Sequence, residues 1–452
     1  MKAPTAEPPK TKNGAVNALL PEDQPVHGWY RFVLSYPPHL VRQYEQAFGF
    51  GTKDLLLDPF CGTGTTLVEA KKRHIPSIGC DAHPFAALVS RVKTNWMLDA
   101  DLLRTRLRRI LRRTENVSRE HDLESLSLDA QMFQDEVLAP NGQLSLSEDE
   151  LKLLPTGFLS ARPLRRLLLL RGEIEKTTEQ DAVEYREFFF VALAHVIANG
   201  AGNFAFGPEI YRTKAKPDYD VLGHFARHAD AMIRDLTAMQ TRGLAEVHCS
   251  VLREDARTMA SLPGKIAGVI TSPPYPNEKD YTRTTRVEII LLRLVTDRLA
   301  LRETKETLLR SNTRNIFVDD RDGDEVAEFT SIRKVCEQIE ERRIELAKTS
   351  GFERLYHKVV AHYFGGMRRH FRALRPKLKA KAKLGYVVGD QLSFLMVPIP
   401  TAKLLGEVAE SEGYRVTGCE LWRERVGTKV KNDLEGRRTV RVREEVLLLE
   451  RK

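Results

Sequence analysis

The stretch Asp54 to Asp81, DLLLDPFCGTGTTLVEAKKRHIPSIGCD, decides the fold. Its apolar run Asp54-Leu55-Leu56-Leu57 ends in Asp58, and a turn with Gly62 and Gly64 follows. A helical pattern then begins near Thr66, whose hydroxyl, with Glu69 three residues on, fits a capping box. A second apolar run, Ser77-Ile78-Gly79-Cys80, closes on Asp81. Strand, glycine loop, helix and strand are the opening unit of a parallel sheet that binds a ligand at its carboxyl edge.

The loop narrows the ligand. Glycines let the backbone approach it closely, the helix N-terminus offers free N–H groups, and Asp81 can accept hydrogen bonds from a ribose diol. The Lys-Ser/Thr pair of a phosphate-binding loop is missing, and so is the third glycine of the dinucleotide fingerprint. These features point to a nucleoside-bearing cofactor without a pyrophosphate.

Further short apolar runs read as strands buried on both faces: Val247 to Val251, Ala267 to Ile270 and Gly385 to Val388. Tyr414 to Trp422 and Val440 to Leu449, joined by a charged stretch with Gly427, Asn432 and Gly436, read as a long hairpin adding an antiparallel edge strand. Residues 99–245 are too long for a crossover and read as a helical insertion, and 282–364 as a second one, a candidate for target recognition. The arginine-rich run 102–113 suits either a nucleic-acid contact or a solvated helix face. The expected organisation is a disordered leader over 1–26, a catalytic domain in three pieces (27–98, 246–281 and 365–452), and the two insertions. The fold class is α/β, a Rossmann-like sheet, mostly parallel with an antiparallel edge strand, plus helical insertions.

The run VITSPPYPNEKDY, 269–281, ends the fourth strand candidate on two prolines. Prolines remove backbone donors and fix φ, so Ser272-Pro273-Pro274-Tyr275 presents rigid, bare carbonyls at the same sheet edge as the glycine loop.

Composition agrees with a globular, soluble chain and favours a polyanionic partner. Of 452 residues 42% are hydrophobic, and 71 Lys and Arg against 62 Asp and Glu give a formal charge of +9. The five cysteines form no CxxC pair, which argues against a zinc knuckle or a disulfide framework and for a reducing cytoplasm. No apolar span suggests a membrane helix, and the histidines lack metal spacing.

DPFCGTGTT followed by GCDAHP resembles the S-adenosylmethionine motif of amino-methylating DNA methyltransferases, and TSPPY is similar to their catalytic motif in its cytosine-N4 form. The resemblance implies a Rossmann-like methyltransferase sheet and S-adenosylmethionine as cofactor. It implies Ser272, Pro273, Pro274 and Tyr275 as catalytic residues. Asp58, Pro59, Phe60, Gly62, Gly64 and Thr65 would sit at the methionine side, Asp81 at the ribose and Asp255 near the adenine. The stretch Trp29 to Leu40 resembles the segment that closes over the methionine end, with Tyr30 as its cofactor contact. The implied partner is double-stranded DNA in the cytoplasm, within a restriction-modification setting that can include a cognate endonuclease, with no membrane and no metal. The cofactor motif precedes the catalytic one, a permuted order, so the place of target recognition does not carry over. Adenine-N6 methylation and tRNA guanine-N2 methylation remain alternatives, the latter because related enzymes carry a similar DPFCGTG and Pro-Pro-Tyr pair.

Overall fold

The computed structural model describes residues 17–32, 34–120, 146–206, 210–276, 280–393, 395–426 and 441–452. Among them runs one seven-stranded sheet: β1 (Leu56–Asp58), β2 (Ser77–Cys80), β5 (Cys249–Leu252), β6 (Ile266–Thr271), β7 (Leu378–Gly389), β10 (Tyr414–Val426) and β11 (Arg441–Arg451). Two small ribbons stand apart from it, β3 (Phe204–Phe206) with β4 (Ile210–Arg212), and β8 (Gln391–Leu392) with β9 (Pro398–Ile399). The spatial order is β10-β11-β7-β6-β1-β2-β5. β5, β2, β1, β6 and β7 are parallel, while β11 is antiparallel to both β7 and β10. Renumbered along the chain this is 3-2-1-4-5-7-6 with the seventh strand reversed, the Rossmann-like methyltransferase sheet.

Alternation along the strands explains the layers. Leu56, Ile270, Val387 and Val446 face the helix Pro38–Phe48 with Leu40, Val41 and Tyr44. Leu57, Val269, Leu384, Tyr386 and Leu447 face the other way, onto the helices Tyr356–Leu374 and Thr401–Ser411. The helices of 99–245 are not a lobe of their own. Leu103, Leu168, Phe188, Phe225 and Met232 share one continuous core with Val68, Phe85 and Val92 beside the sheet.

Several expectations are corrected. Residues 17–26 are ordered into the body: Arg42 pairs with buried Asp23 at 2.7 Å, and Asn17 accepts from the Trp422 indole at 3.1 Å. Residues 1–16 of the expected leader, and the Gly427, Asn432 and Gly436 link, lie outside the described residues. The terminal pair of strands is antiparallel as read, and its second member, β11, is the reversed strand, lying between β7 and β10. The boundary at 364 falls inside the helix Tyr356–Leu374, whose Gly365 and Gly366 bring it against Asp322-Gly323. A Cβ on Gly365 would stand 1.6 Å from the Asp322 carbonyl oxygen. Gly365→Ala is therefore expected to cost about 3 kcal/mol or more, since backbone has to move, and to read as a lowered melting temperature with the secondary structure retained.

The capping box does not form either. Gly64, in the left-handed region at φ 83°, is the N-cap of the helix Thr65–Lys72, one residue earlier than expected, and no side chain caps it. The Thr66 hydroxyl instead crosses to the next strand and donates to the Ile270 carbonyl at 3.1 Å. Glu69 is buried between His27 Nε2 at 2.7 Å and Arg42 at 2.8 Å.

Candidate active site

The order of strands reverses between β1 and β6: from β1 the chain moves outward to β2 and β5, and then returns to β6 and β7 on the other side. Loops after neighbouring strands part at such a point and leave a crevice. The loop after β1 is Pro59 to Gly64 and the one after β6 is Ser272 to Tyr275, so topology brings the two sequence motifs together. A cavity of about 330 Å³ opens there.

The glycine loop is shaped by Asp81. Its Oδ2 accepts from Gly62 N at 2.9 Å and its Oδ1 from His83 N at 2.8 Å, which ties the ends of β1 and β2. Gly62, at φ 51°, gives the loop its left-handed turn. Gly64 passes so close to the helix Pro84–Thr94 that a Cβ would lie 3.3 Å from Ser90 Cα. Enclosure raises the Asp81 carboxyl to about 7 against the pull of its two N–H donors, with the Asp58 charge adding to the rise. Across the cavity Asp255 is clamped by the Arg257 guanidinium, at 3.0 Å through Nε and 2.7 Å through a terminal nitrogen, and Arg257 reaches on to Asp322 at 2.7 Å.

Asp58 joins the two motifs from behind the wall. It is fully buried, accepting from the Thr271 hydroxyl at 2.6 Å, the Tyr36 hydroxyl at 2.9 Å and Phe60 N at 3.2 Å. Burial raises its carboxyl to about 6, and those donors hold it from rising further. Thr271→Val keeps the shape but removes the shortest of these bonds. The expected cost is about 1–3 kcal/mol in urea unfolding at neutral pH.

Beside this brace the Ser272 hydroxyl donates to the Val387 carbonyl of β7 at 3.1 Å, which turns its oxygen lone pairs away from β7. Cys61 is buried, and burial with the nearby Asp81 and Asp58 pushes its thiol well above the ordinary value, so it is no nucleophile.

Pro59, Phe60, Gly62, Thr65, Asp81 and Asp255 all line the cavity, and so do Ser272, Pro273, Pro274 and Tyr275. Gly64 and Asp58 support the wall without lining it. Tyr30 is a correction: it is buried elsewhere, donating to Glu288 at 2.8 Å and meeting Phe85 edge-on at 4.9 Å. Phe32, Leu34, Ser35 and Tyr36 of the same stretch reach the cavity in its place, because the chain turns between Arg31 and the Pro37-Pro38 helix start. Asn17, Arg31, Trp422, Arg423 and Glu444 also line it and carried no local signal. For Tyr36 a signal existed, a tyrosine before two helix-starting prolines.

Basic residues away from the cavity are largely used in the fold. Arg106 pairs with Asp181 at 2.6 Å and Arg113 with Glu173 at 2.5 Å, leaving Arg108, Arg109 and Arg112 on the outer face of the helix Ala100–Glu120. Arg368 holds Glu412 at 2.6 Å, and Arg286, which opens the helix Arg286–Leu291, donates to the Thr282 carbonyl of the preceding turn Tyr281–Thr284 at 3.0 Å. No group of three or more metal-ligating side chains occurs among the described residues, and none of their helices is long and apolar enough to cross a membrane.

The donor set suits a nucleoside cofactor: carboxylates at Asp81 and Asp255, N–H groups in a glycine loop, and aromatic side chains lining the cavity. The sheet that carries this cavity is of the Rossmann-like methyltransferase fold class.

Comparison with known proteins carries this further. Residues 32–90 match the family model described as DNA methylase. The type II methyltransferase M.BsoBI of Geobacillus stearothermophilus is 24% identical over 419 residues, covering 87% of this chain and 79% of that one. The type II methyltransferase M.MjaII of Methanocaldococcus jannaschii is 35% identical over 94 residues, 21% of this chain and 17% of that one. Among solved structures, TrmN from Thermus thermophilus aligns at 10% identity with a TM-score of 0.28, covering 95% of this chain and 53% of that one, too loose an overlap to bear on the fold. Residues 32–90 thus resemble a DNA methylase, and the chain along most of its length is similar to a type II methyltransferase.

Proposed function

We propose that the chain methylates the exocyclic N4 amine of cytosine at a specific DNA sequence. The observation that carries this reading is Ser272. At the point where the catalytic loop meets the cavity stands a neutral hydroxyl, with its proton committed to Val387 and its lone pairs free to accept.

A cytosine amino group is a weak nucleophile because its lone pair is delocalised into the ring. The Ser272 oxygen and the Pro273 carbonyl can each accept one amino hydrogen, which favours the pyramidal form and aims the lone pair. Pro273 and Pro274 keep the carbonyls from turning away, and Tyr275 offers a face to a base swung out of the duplex. S-adenosylmethionine supplies an electrophilic methyl group, and Asp81, Asp255 and the Gly62 loop are the groups that would hold it. Alignment of two reactants can supply on the order of 7–11 kcal/mol, so no strong base is needed before transfer. The double-stranded DNA substrate, the assignment of the cofactor contacts and a cognate endonuclease partner belong to the same proposal.

The test is to sequence DNA from cells expressing the chain by a method that distinguishes N4-methylcytosine, with nucleoside analysis of the product. N4-methylcytosine at one recurring site is expected. N6-methyladenine would overturn the choice of base, and methyl transfer to tRNA alone would overturn the choice of substrate.

A further inference from the structure

The cavity crosses the carboxyl edge of the sheet from β5 to β10. Asp255, Asp81 and the Gly62 loop lie on one side of Ser272; beyond it lie Val387 of β7, Glu444 of β11, and Trp422 and Arg423 of β10. An amine attacking a methyl group approaches from the side opposite the donor. If the cofactor occupies the first half, the second half is the nucleobase's.

This second half is built as a slot for a flat ring. Leu40, Val387 and Trp422 give it apolar walls. The Trp422 indole is fixed by its N–H, which donates to Asn17 Oδ1 at 3.1 Å. Between Leu421 and Arg423 the register of β10 with β11 slips. A regular strand would send Trp422 and Arg423 to opposite faces, and the irregularity lets both reach the cavity. Arg423 is 17% exposed and pairs through Nε with Glu444, its cross-strand partner. A guanidinium anchored at Nε still has its planar pair of terminal nitrogens as donors.

Resting on the cytosine-N4 reading, we infer that this half of the cavity receives the extruded cytosine and that Arg423 determines base specificity by donating to its N3 and O2. These two acceptors are adjacent on the edge next to the amino group. Adenine presents N1 followed by a C2–H on the corresponding edge, so a two-pronged donor favours cytosine.

The test uses the full chain and duplexes of the site found in vivo, carrying either cytosine or an analogue that keeps the amino group but lacks the O2 carbonyl. Wild type is expected to lose about tenfold to a hundredfold in kcat/KM on the analogue. Arg423→Met is expected to lose that factor on cytosine and little more on the analogue, with cofactor affinity unchanged. Arg423→Lys keeps the charge without the fork, and is expected to fold as wild type and to discriminate poorly. Wild-type discrimination retained in both variants overturns the inference, because a merely structural arginine would depress both substrates alike. Failure of the underlying reading shows separately, as methyladenine made by the unmodified protein.

Discussion

Ser272→Ala is expected to lower kcat about 100-fold, the scale produced by removing one preorganised hydrogen-bonding group from a dry site. Ser272 is half-buried and donates to the Val387 carbonyl. The substitution leaves β6 and the Thr271–Asp58 brace in place, so folding and cofactor binding are expected to stay close to wild type. Single-turnover methyl transfer on duplex DNA separates chemistry from binding, and the loss is expected in that step. A rate within threefold of wild type would sink the role assigned to the hydroxyl and leave the Pro273 carbonyl as the acceptor.

Asp81→Asn is expected to weaken cofactor binding by about 10- to 100-fold, because a charge-assisted acceptor is exchanged for a neutral amide at the position proposed for the ribose. Calorimetric titration against pH sharpens the test. Burial holds the Asp81 carboxyl up at about 7. Below that it holds a proton and one oxygen ceases to accept, so wild-type affinity is expected to fall as pH drops from 8 to 6, while the asparagine variant stays flat.

The stability sign runs the other way. A carboxyl raised in the folded chain but near 4 in the unfolded one contributes stability at low pH that is lost as pH rises from about 4 through 7. Asp58, raised to about 6, and Glu288, raised to about 7, act in the same direction, burial being the chief cause for both. Cofactor is therefore expected to raise the melting temperature more at pH 8 than at pH 6. An equal rise at both would contradict the titration of Asp81.

Much of the fold was legible locally. Ser77–Cys80 is a strand with the bounds the sequence suggested, and the glycine loop lies where DPFCGTG placed it, because chain-adjacent residues dictate a strand, a turn that needs left-handed glycines and a helix start. β7 was read short, as Gly385 to Val388, because its first half alternates lysine with alanine and leucine at the sheet's rim. Tyr30 and Tyr36 are aromatic residues of one recognisable stretch. Only packing says which ring meets Glu288 in the core and which meets Asp58 behind the cavity.

A parallel sheet with a glycine loop and a proline-stiffened loop at one edge can be read from contiguous residues, because turn chemistry and strand endings are local. The tertiary structure alone decided what lies beyond Ser272. Asn17, Leu40, Val387, Trp422, Arg423 and Glu444 come from five separated places in the chain, and nothing in any one of them marks the others. They meet because the chain places β11 between β7 and β10 and folds residues 17–36 across the crevice, so that half of the site is a product of strand order and long-range burial.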